Sequence, residues 1–460
     1  MGTLQQLGTQ QPRLGVWRRV FASTFDVYLL LTALVLCAFG FLMVYSASIS
    51  ASFLATDDTS TSYFFTRHIR NFGIGLVFML LLALIDYRVW RKYSLWIMLG
   101  TILSLVIVLR FGDARLAANR ALFRGSIQPG EFAKLAVVVY MSAWLASRQK
   151  QIKRISYGLI PFTILVGLTC VLLVLQPDLS TAATILATTL TLFFLAGADW
   201  LQMGAIAGGA GVSGYLLVTR IPYAQTRIES HLAAIRDLTK ANDHVQAAVE
   251  AFLNGQLFGV GLGEGTQKFG RLPFPHTDSI FAVIGEELGL VGSFLVLGLF
   301  FLLVYRGFQV AKKAPDLFGG LVAAGVCVWI AYDAMLNIAV MTALVPPTGV
   351  PLPFISFGGS SLVTAMAGIG VVLSVSRQSN RTPEPERPER GVALPLDSKL
   401  EISPRRSPEP TPPQPQPATP ETLLVTQERP PEGTDIETPG IRRRDRRGHI
   451  SRVSRRQHDS

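Results

Sequence analysis

Cysteine is nearly missing from this chain: three residues in 460, Cys37, Cys170 and Cys327, each inside an apolar run. That excludes an extracellular disulfide framework and a cysteine-built metal cluster. No cleavable leader is expected either, because the first apolar run is long, weakly flanked and followed by no small-residue cleavage site. No Gly-Lys-Ser/Thr follows the glycines at 259, 261, 263 and 265, which rules out a phosphate-binding P-loop there. Those glycines fit tight turns instead. No internal repeat stands out. The net charge of +11 needs no nucleic acid to explain it, since basic loops and a basic C-terminal end account for it.

What the chain has is apolar length. It is 49% hydrophobic with a mean hydropathy of +0.38, and the polar segment after residue 377 pulls that average down. A membrane-crossing helix needs roughly 20 mostly apolar residues. Ten runs qualify, near 26–48, 69–85, 94–110, 131–147, 157–175, 180–198, 200–219, 280–305, 318–341 and 358–376. The expected architecture is all-α and polytopic: an N-terminal arm (1–25), a ten-helix membrane domain (26–376) and a cytoplasmic tail (377–460). Basic residues set the orientation. Arg13, Arg18, Arg19, Arg88, Arg91, Lys92, Arg148, Lys150, Lys153, Arg154, Arg306, Lys312, Lys313, Arg377 and Arg381 fall on one face, assigned to the cytoplasm with both termini.

One outward loop departs from that pattern. Arg110, Arg115, Arg120 and Arg124 there face a single Asp113. They are either headgroup contacts and imperfect topology, or a site for an outward-facing pyrophosphate, whose oxygens suit guanidinium geometry. The tail holds 15 of the 27 prolines and too little apolar surface to fold alone, so it is expected to be disordered. Its end carries Arg442, Arg443, Arg444, Arg446, Arg447, Arg452, Arg455 and Arg456, which suit anionic lipid or a cytoplasmic partner. The long outer loop, about 220–277 between spans seven and eight, is expected to contain helix. Val245, Ala248, Val249, Phe252 and Leu253 recur at helical spacing, as in an amphipathic helix on or near the membrane.

Four polar runs lie at outer ends of these spans. In Gln128-Pro129-Gly130-Glu131-Phe132-Ala133-Lys134, Pro129 fits a helix start, and Glu131 and Lys134 share a face. They form a local ion pair, or Lys134 serves a phosphate or orients a distant carboxylate. In Gln176-Pro177-Asp178-Leu179-Ser180-Thr181, Asp178 either caps the next helix or belongs to a site. In His276-Thr277-Asp278-Ser279, Asp278 sits where a loop meets a span, suited to capping, catalysis or both. Glu286 and Glu287 follow inside that span, where charge is expensive and needs a partner such as Lys134 or an Arg. The Pro- and Gly-dense run Pro346–Ser361, with Ser356 and Ser360, reads as a fixed re-entrant turn lining a cavity. Asn337 on the preceding helix suits a cross-helix hydrogen bond.

Taken in order on one face of a ten-span chain, these four runs resemble the SEDS family (shape, elongation, division and sporulation), which includes RodA, FtsW and SpoVE. The resemblance covers about residues 20–376. There are departures: Gln-Pro-Gly-Glu replaces Gln-Pro-Ser-Glu, Asn119-Arg120-Ala121 replaces Arg-Arg-Trp, and Phe274 stands where Glu is common.

The resemblance implies a peptidoglycan glycosyltransferase that polymerises lipid II, for division or elongation. The basic tail leans towards the division form. Asp278 would be its essential aspartate, with Glu131 and Lys134 in the same central cavity. The expected base is Asp278. Lys134, Arg120 and Arg124 would stabilise the leaving pyrophosphate. Gln128, Glu131, Asp178, His276, Ser356 and Ser360 complete the substrate-contacting set. A divalent cation, Mg or Mn, bridging Asp278 and pyrophosphate is an option, although no dedicated metal cage is visible. The implied partner is a class B penicillin-binding protein, alongside other division or elongation proteins. Two other classes remain open: a lipid II flippase and a non-catalytic scaffold of the division machinery. A flippase is expected to carry inverted repeats and mid-bilayer helix breaks.

Overall fold

The computed structural model describes residues 25–56, 59–111, 128–220, 222–236 and 243–381. Arg120 and Arg124, the N-terminal arm and the tail beyond Arg381 lie outside the described residues.

Twelve α-helices, and no strand, are found among the described residues. They are α1 (Val27–Ala55), α2 (Tyr63–Leu84), α3 (Arg88–Phe111), α4 (Pro129–Arg148), α5 (Ile160–Leu175), α6 (Leu179–Leu195), α7 (Trp200–Arg220), α8 (Pro222–Arg236), α9 (Asp243–Gly255), α10 (Ile280–Lys313), α11 (Leu317–Met341) and α12 (Gly359–Arg381). Eight are long and apolar enough to cross a membrane: α1, α2, α3, α5 with the π turn before it, α7, α10, α11 and α12. The chain is a polytopic all-α membrane protein. The other two of the ten expected runs are also helices. α6 is apolar but has only 17 residues. α4 has 20 residues and carries Glu131, Lys134 and Arg148.

Observed ends differ from the expected ones for a simple reason. Hydropathy finds where a helix is apolar, whereas backbone hydrogen bonding carries it on through polar residues. α2 therefore begins at Tyr63 and includes Arg67, His68, Arg70 and Asn71, and α12 continues to Arg381. Side-chain caps fix several starts: Asp26 accepts from Leu29 N at 2.9 Å, and Asp316 accepts from Gly319 N at 2.7 Å.

Burial sorts the helices into centre and periphery. Of the most apolar stretch of each helix, 89% is buried in α12 and 72% in α11, against 22% in α3 and 11% in α7. α12 packs along α2 and also touches α1, α4, α10 and α11. Close approach there depends on small residues. A Cβ on Gly370 of α12 would collide with the Met79 carbonyl of α2.

The long loop between α7 and α10 folds into α8, α9 and a glycine-bearing segment. α9 is the amphipathic helix expected from Val245 to Leu253; its buried Ala247, Ala248 and Ala251 join the main core, where the helix packs on α10, and Val245 packs on Ala343. Shape decides this: α9 crosses α10 with Gly255 against the Gly285 backbone, where no side chain would fit.

α10 is broken. Gly289 takes φ 66° and ψ −164°, a conformation foreign to a helix. The loop after α9 supplies the missing partners. Val260 N donates to Glu286 O at 3.0 Å, Gly261 N to Glu287 O at 3.1 Å, and Leu290 N to Gln256 O at 3.0 Å. Every backbone polar group inside a membrane protein needs such a partner, so break and loop explain each other.

Candidate active site

The four polar runs meet at one end of the bundle. Asn337 of α11 ties two of them together, its amide donating to Asp278 O and to Val350 O, both at 2.7 Å. Phe357 N donates to His276 O at 2.8 Å. Gln128 N donates to Ser360 Oγ at 2.9 Å, joining the start of α4 to the start of α12. Ser180 Oγ donates to Thr348 O at 3.3 Å, joining α6 to the Pro-rich segment. That segment is irregular and buried at Val350, Leu352, Phe354 and Ile355. Ser356 stabilises it by accepting from Leu352 N at 2.7 Å. Ser356 and Ser360 thus hold backbone in place.

Asp278 stands just outside α10, whose N-cap is Ser279, and makes no capping bond. The Ser279 hydroxyl donates to Pro273 O at 2.6 Å. The Asp278 carboxylate is half-buried, accepts from Thr277 Oγ1 at 2.9 Å and faces the turn at Gly349. Gly349 has φ 74°, and a Cβ there would sit 3.6 Å from Asp278 Oδ2. The backbone of Asp278 is fixed and its carboxylate is left partly open, which is how a reacting group has to be held.

His276 packs between Phe64 and Phe357, with ring centroids at 4.4 and 5.6 Å. Its Nδ1 is buried without a hydrogen-bond partner. Burial pushes its imidazole down to about 4, so it is neutral at pH 7. His244 of α9 bonds Ser279 Oγ at 2.7 Å. Burial lowers its pKa, opposed by the nearby Asp278 charge and aided by Arg227. Arg227 of α8 donates to Pro347 O at 2.6 Å.

Asp178 caps α6, accepting from Thr181 N at 3.3 Å. It also lies against the start of α4, where a Cβ on Gly130 would come 3.3 Å from its Oδ2. Gln176 turns inward and donates to Leu105 O at 2.9 Å.

One helical turn below Asn337 lies a buried ionic triad. Lys134 Nζ is 3.0 Å from Glu131 Oε1 and 2.8 Å from Asp333 Oδ2. Trp329 Nε1 donates to the same Asp333 oxygen at 2.6 Å. All three charged side chains are almost fully buried. Four residues of helix separate Asp333 from Asn337, about 6 Å along α11. Lys134 therefore orients carboxylates from two helices just beneath the Asp278 loop.

Glu286 and Glu287 have a different task. Glu287 pairs with Lys268 at 2.6 Å, and Ser46 of α1 donates to it at 2.6 Å. Glu286 accepts from Thr266 N at 3.0 Å and Thr266 Oγ1 at 3.1 Å. Neither pairs with Lys134. They clamp the long loop to the broken helix.

Sequence reasoning missed Asp333, Lys268 and His244. Asp333 carried a signal: a carboxylate amid the apolar run Leu317–Met341 is costly and marks a site. Lys268 and His244 carried none, since charged residues in a loop between spans are ordinary.

A family profile described as "Cell cycle protein" (FtsW/RodA/SpoVE) matches residues 26–381. The chain belongs to the FtsW/RodA/SpoVE family. Among its curated members, stage V sporulation protein E of Bacillus subtilis is 39% identical over 360 residues, covering 77% of this chain and 97% of that protein. The probable peptidoglycan glycosyltransferase FtsW of Geobacter metallireducens is 37% identical over 364 residues, covering 78% and 96%. The crystal structure of the rod shape determining protein RodA of Thermus thermophilus aligns with a TM-score of 0.57 at 27% identity, over 77% of this chain and 97% of that one. A chain of a solved peptidoglycan synthase complex, described as coordinating polymerization and crosslinking, aligns with a TM-score of 0.63 at 27% identity, over 77% and 98%. The family match spans the described membrane helices and includes all four polar runs.

Proposed function

We propose that this chain is a peptidoglycan glycosyltransferase that polymerises lipid II at the outer face of the bacterial cytoplasmic membrane, with both termini in the cytoplasm. One observation carries the reading: Asp278 is a half-open carboxylate on a rigid backbone, at the point where the four polar runs converge. Family membership supplies the reaction class.

In the proposed reaction the 4-hydroxyl of the acceptor sugar attacks the anomeric carbon of the lipid-linked donor chain. An O–C bond forms, the bond from carbon to pyrophosphate breaks, and the hydroxyl proton passes to Asp278. A positioned base is worth about 10²–10⁴-fold in such a step. Polyprenyl pyrophosphate leaves with the electron pair. Arg120 and Arg124 are assigned to its charge. Lys134, already held by Glu131 and Asp333, acts by orienting the site.

Among the described residues no group of three or more His, Cys, Asp or Glu side chains is placed to hold a metal ion. Asp278 as a single carboxylate fits the manner in which Mg²⁺ or Mn²⁺ is shared with substrate phosphates. Such a cation would supply charge neutralisation at the pyrophosphate. A class B penicillin-binding protein is the proposed partner, in the division or elongation machinery.

The test is lipid II polymerisation by the purified full chain, with and without its cognate penicillin-binding protein, for wild type and Asp278→Ala. Glycan strands from wild type alone support the reading. Equal products from both place the base elsewhere. No product from either, with the partner present, rejects polymerase activity in favour of lipid transport or scaffolding.

A further inference from the structure

A polar cavity lies far from Asp278, at the end of the bundle where α1 begins and α12 finishes. It has a volume of about 400 Å³ and is walled by the ends of α1, α10 and α12. That volume is within the usual range for small-ligand sites. Its charged lining is Arg306 and Lys313 against a single Asp26. Gln309 and Asn380 add neutral polar groups.

Arg306 is only partly satisfied. One nitrogen bonds Asp26 Oδ2 at 2.7 Å, and its guanidinium lies 4.7 Å from the Tyr28 ring centroid. Its Nε is buried with no hydrogen-bond partner. A guanidinium carries five donors, and those that Asp26 leaves unused favour a second anion. Lys313, in the last turn of α10, also lines the cavity and forms no ion pair among the described residues. The site therefore has one excess positive charge and unused donors.

Its position limits what that anion is. Tyr28 and Tyr305 flank the cavity and are 64% and 50% exposed, the placement of aromatic residues at a membrane–water interface. Just below, on the same two helices, Leu31, Phe301 and Leu302 are exposed. Apolar surface directly beneath a cationic polar cavity is complementary to a molecule with a phosphate head and hydrocarbon tails. A soluble anion would use only the cavity. We propose that this cavity holds the phosphate headgroup of an anionic phospholipid, its acyl chains lying along α1 and α10.

The test is native mass spectrometry of the full chain in detergent, titrated with phosphatidylglycerol or phosphatidylcholine, with thermal shift in inorganic phosphate as a third arm. Phosphatidylglycerol is expected to bind at least about fivefold more tightly than phosphatidylcholine. Lys313→Gln and Arg306→Gln are each expected to weaken that preference about fivefold, the size of one basic group at an anionic interface. Asp26→Asn keeps the helix cap and removes the competing carboxylate, so it should strengthen lipid binding. This reversal of sign separates the site from a fold defect, which would weaken binding in all three variants. Equal binding of the two lipids overturns the proposal. So does an unchanged preference in Lys313→Gln and Arg306→Gln. Protection by inorganic phosphate equal to that by phosphatidylglycerol assigns the cavity to a soluble anion and overturns the lipid.

Discussion

Two sets of carboxylates, linked through α11 by Asn337 and Asp333, are treated in opposite ways. Glu131 and Asp333 are buried around Lys134 and held at 3.0 and 2.8 Å. Asp278 is half-buried, bonded by one neighbouring hydroxyl and open towards the Gly349 turn. A buried ion pair is costly to desolvate and yields little net stability, yet breaking it by removing one partner is severe. It fixes the positions of helices α4 and α11. The open carboxylate contributes little to the fold, and in the proposed reaction it takes the proton. On the proposed function, chemistry and structure are divided between neighbouring layers of one site.

Replacing Asp278 by Asn gives the largest expected effect on activity, a loss of about 10²–10⁴-fold in polymerisation rate with little change in melting temperature. Replacing Lys134 by Met leaves two carboxylates buried without a cation, so stability should fall by about 3–5 kcal/mol, read by thermal unfolding in detergent. If Asp278→Asn unfolds the protein, or Lys134→Met leaves it unaffected, the division between layers fails.

A pH titration sharpens the same contrast. His276 has its ordinary value of 6.5 when unfolded and about 4 when folded, because burial disfavours the imidazolium. Between those values the unfolded chain binds more protons than the folded one. Stability should therefore be full above pH 6.5, decline as pH falls through the window and level off below about 4. His276→Gln should flatten that decline in a melting-temperature series. The smallest expected effect is from Gly130→Ser. Its added Cβ would meet Asp178 Oδ2 at 3.3 Å, tight but on a side chain able to shift, so melting should move by no more than a few degrees.

The ten apolar runs were legible because membrane helices must be long and apolar. The polar runs were legible because Pro, Gly and charge at span ends are expensive unless used. Partners were not legible. Glu287 looked as suited to Lys134 as to any cation, yet it pairs with Lys268, 19 positions earlier in the chain. α9 was legible as an amphipathic helix, but not that α10 is what its apolar face covers. Periodicity gives a buried face without naming what buries it.

By itself the sequence determined the helical class, the membrane setting, the family and the candidate aspartate, because these follow from local composition and short motifs. Only the tertiary structure decided which charges pair, where α10 breaks and which carboxylate stays open. Those outcomes depend on segments far apart in the chain meeting at distances of a few ångströms.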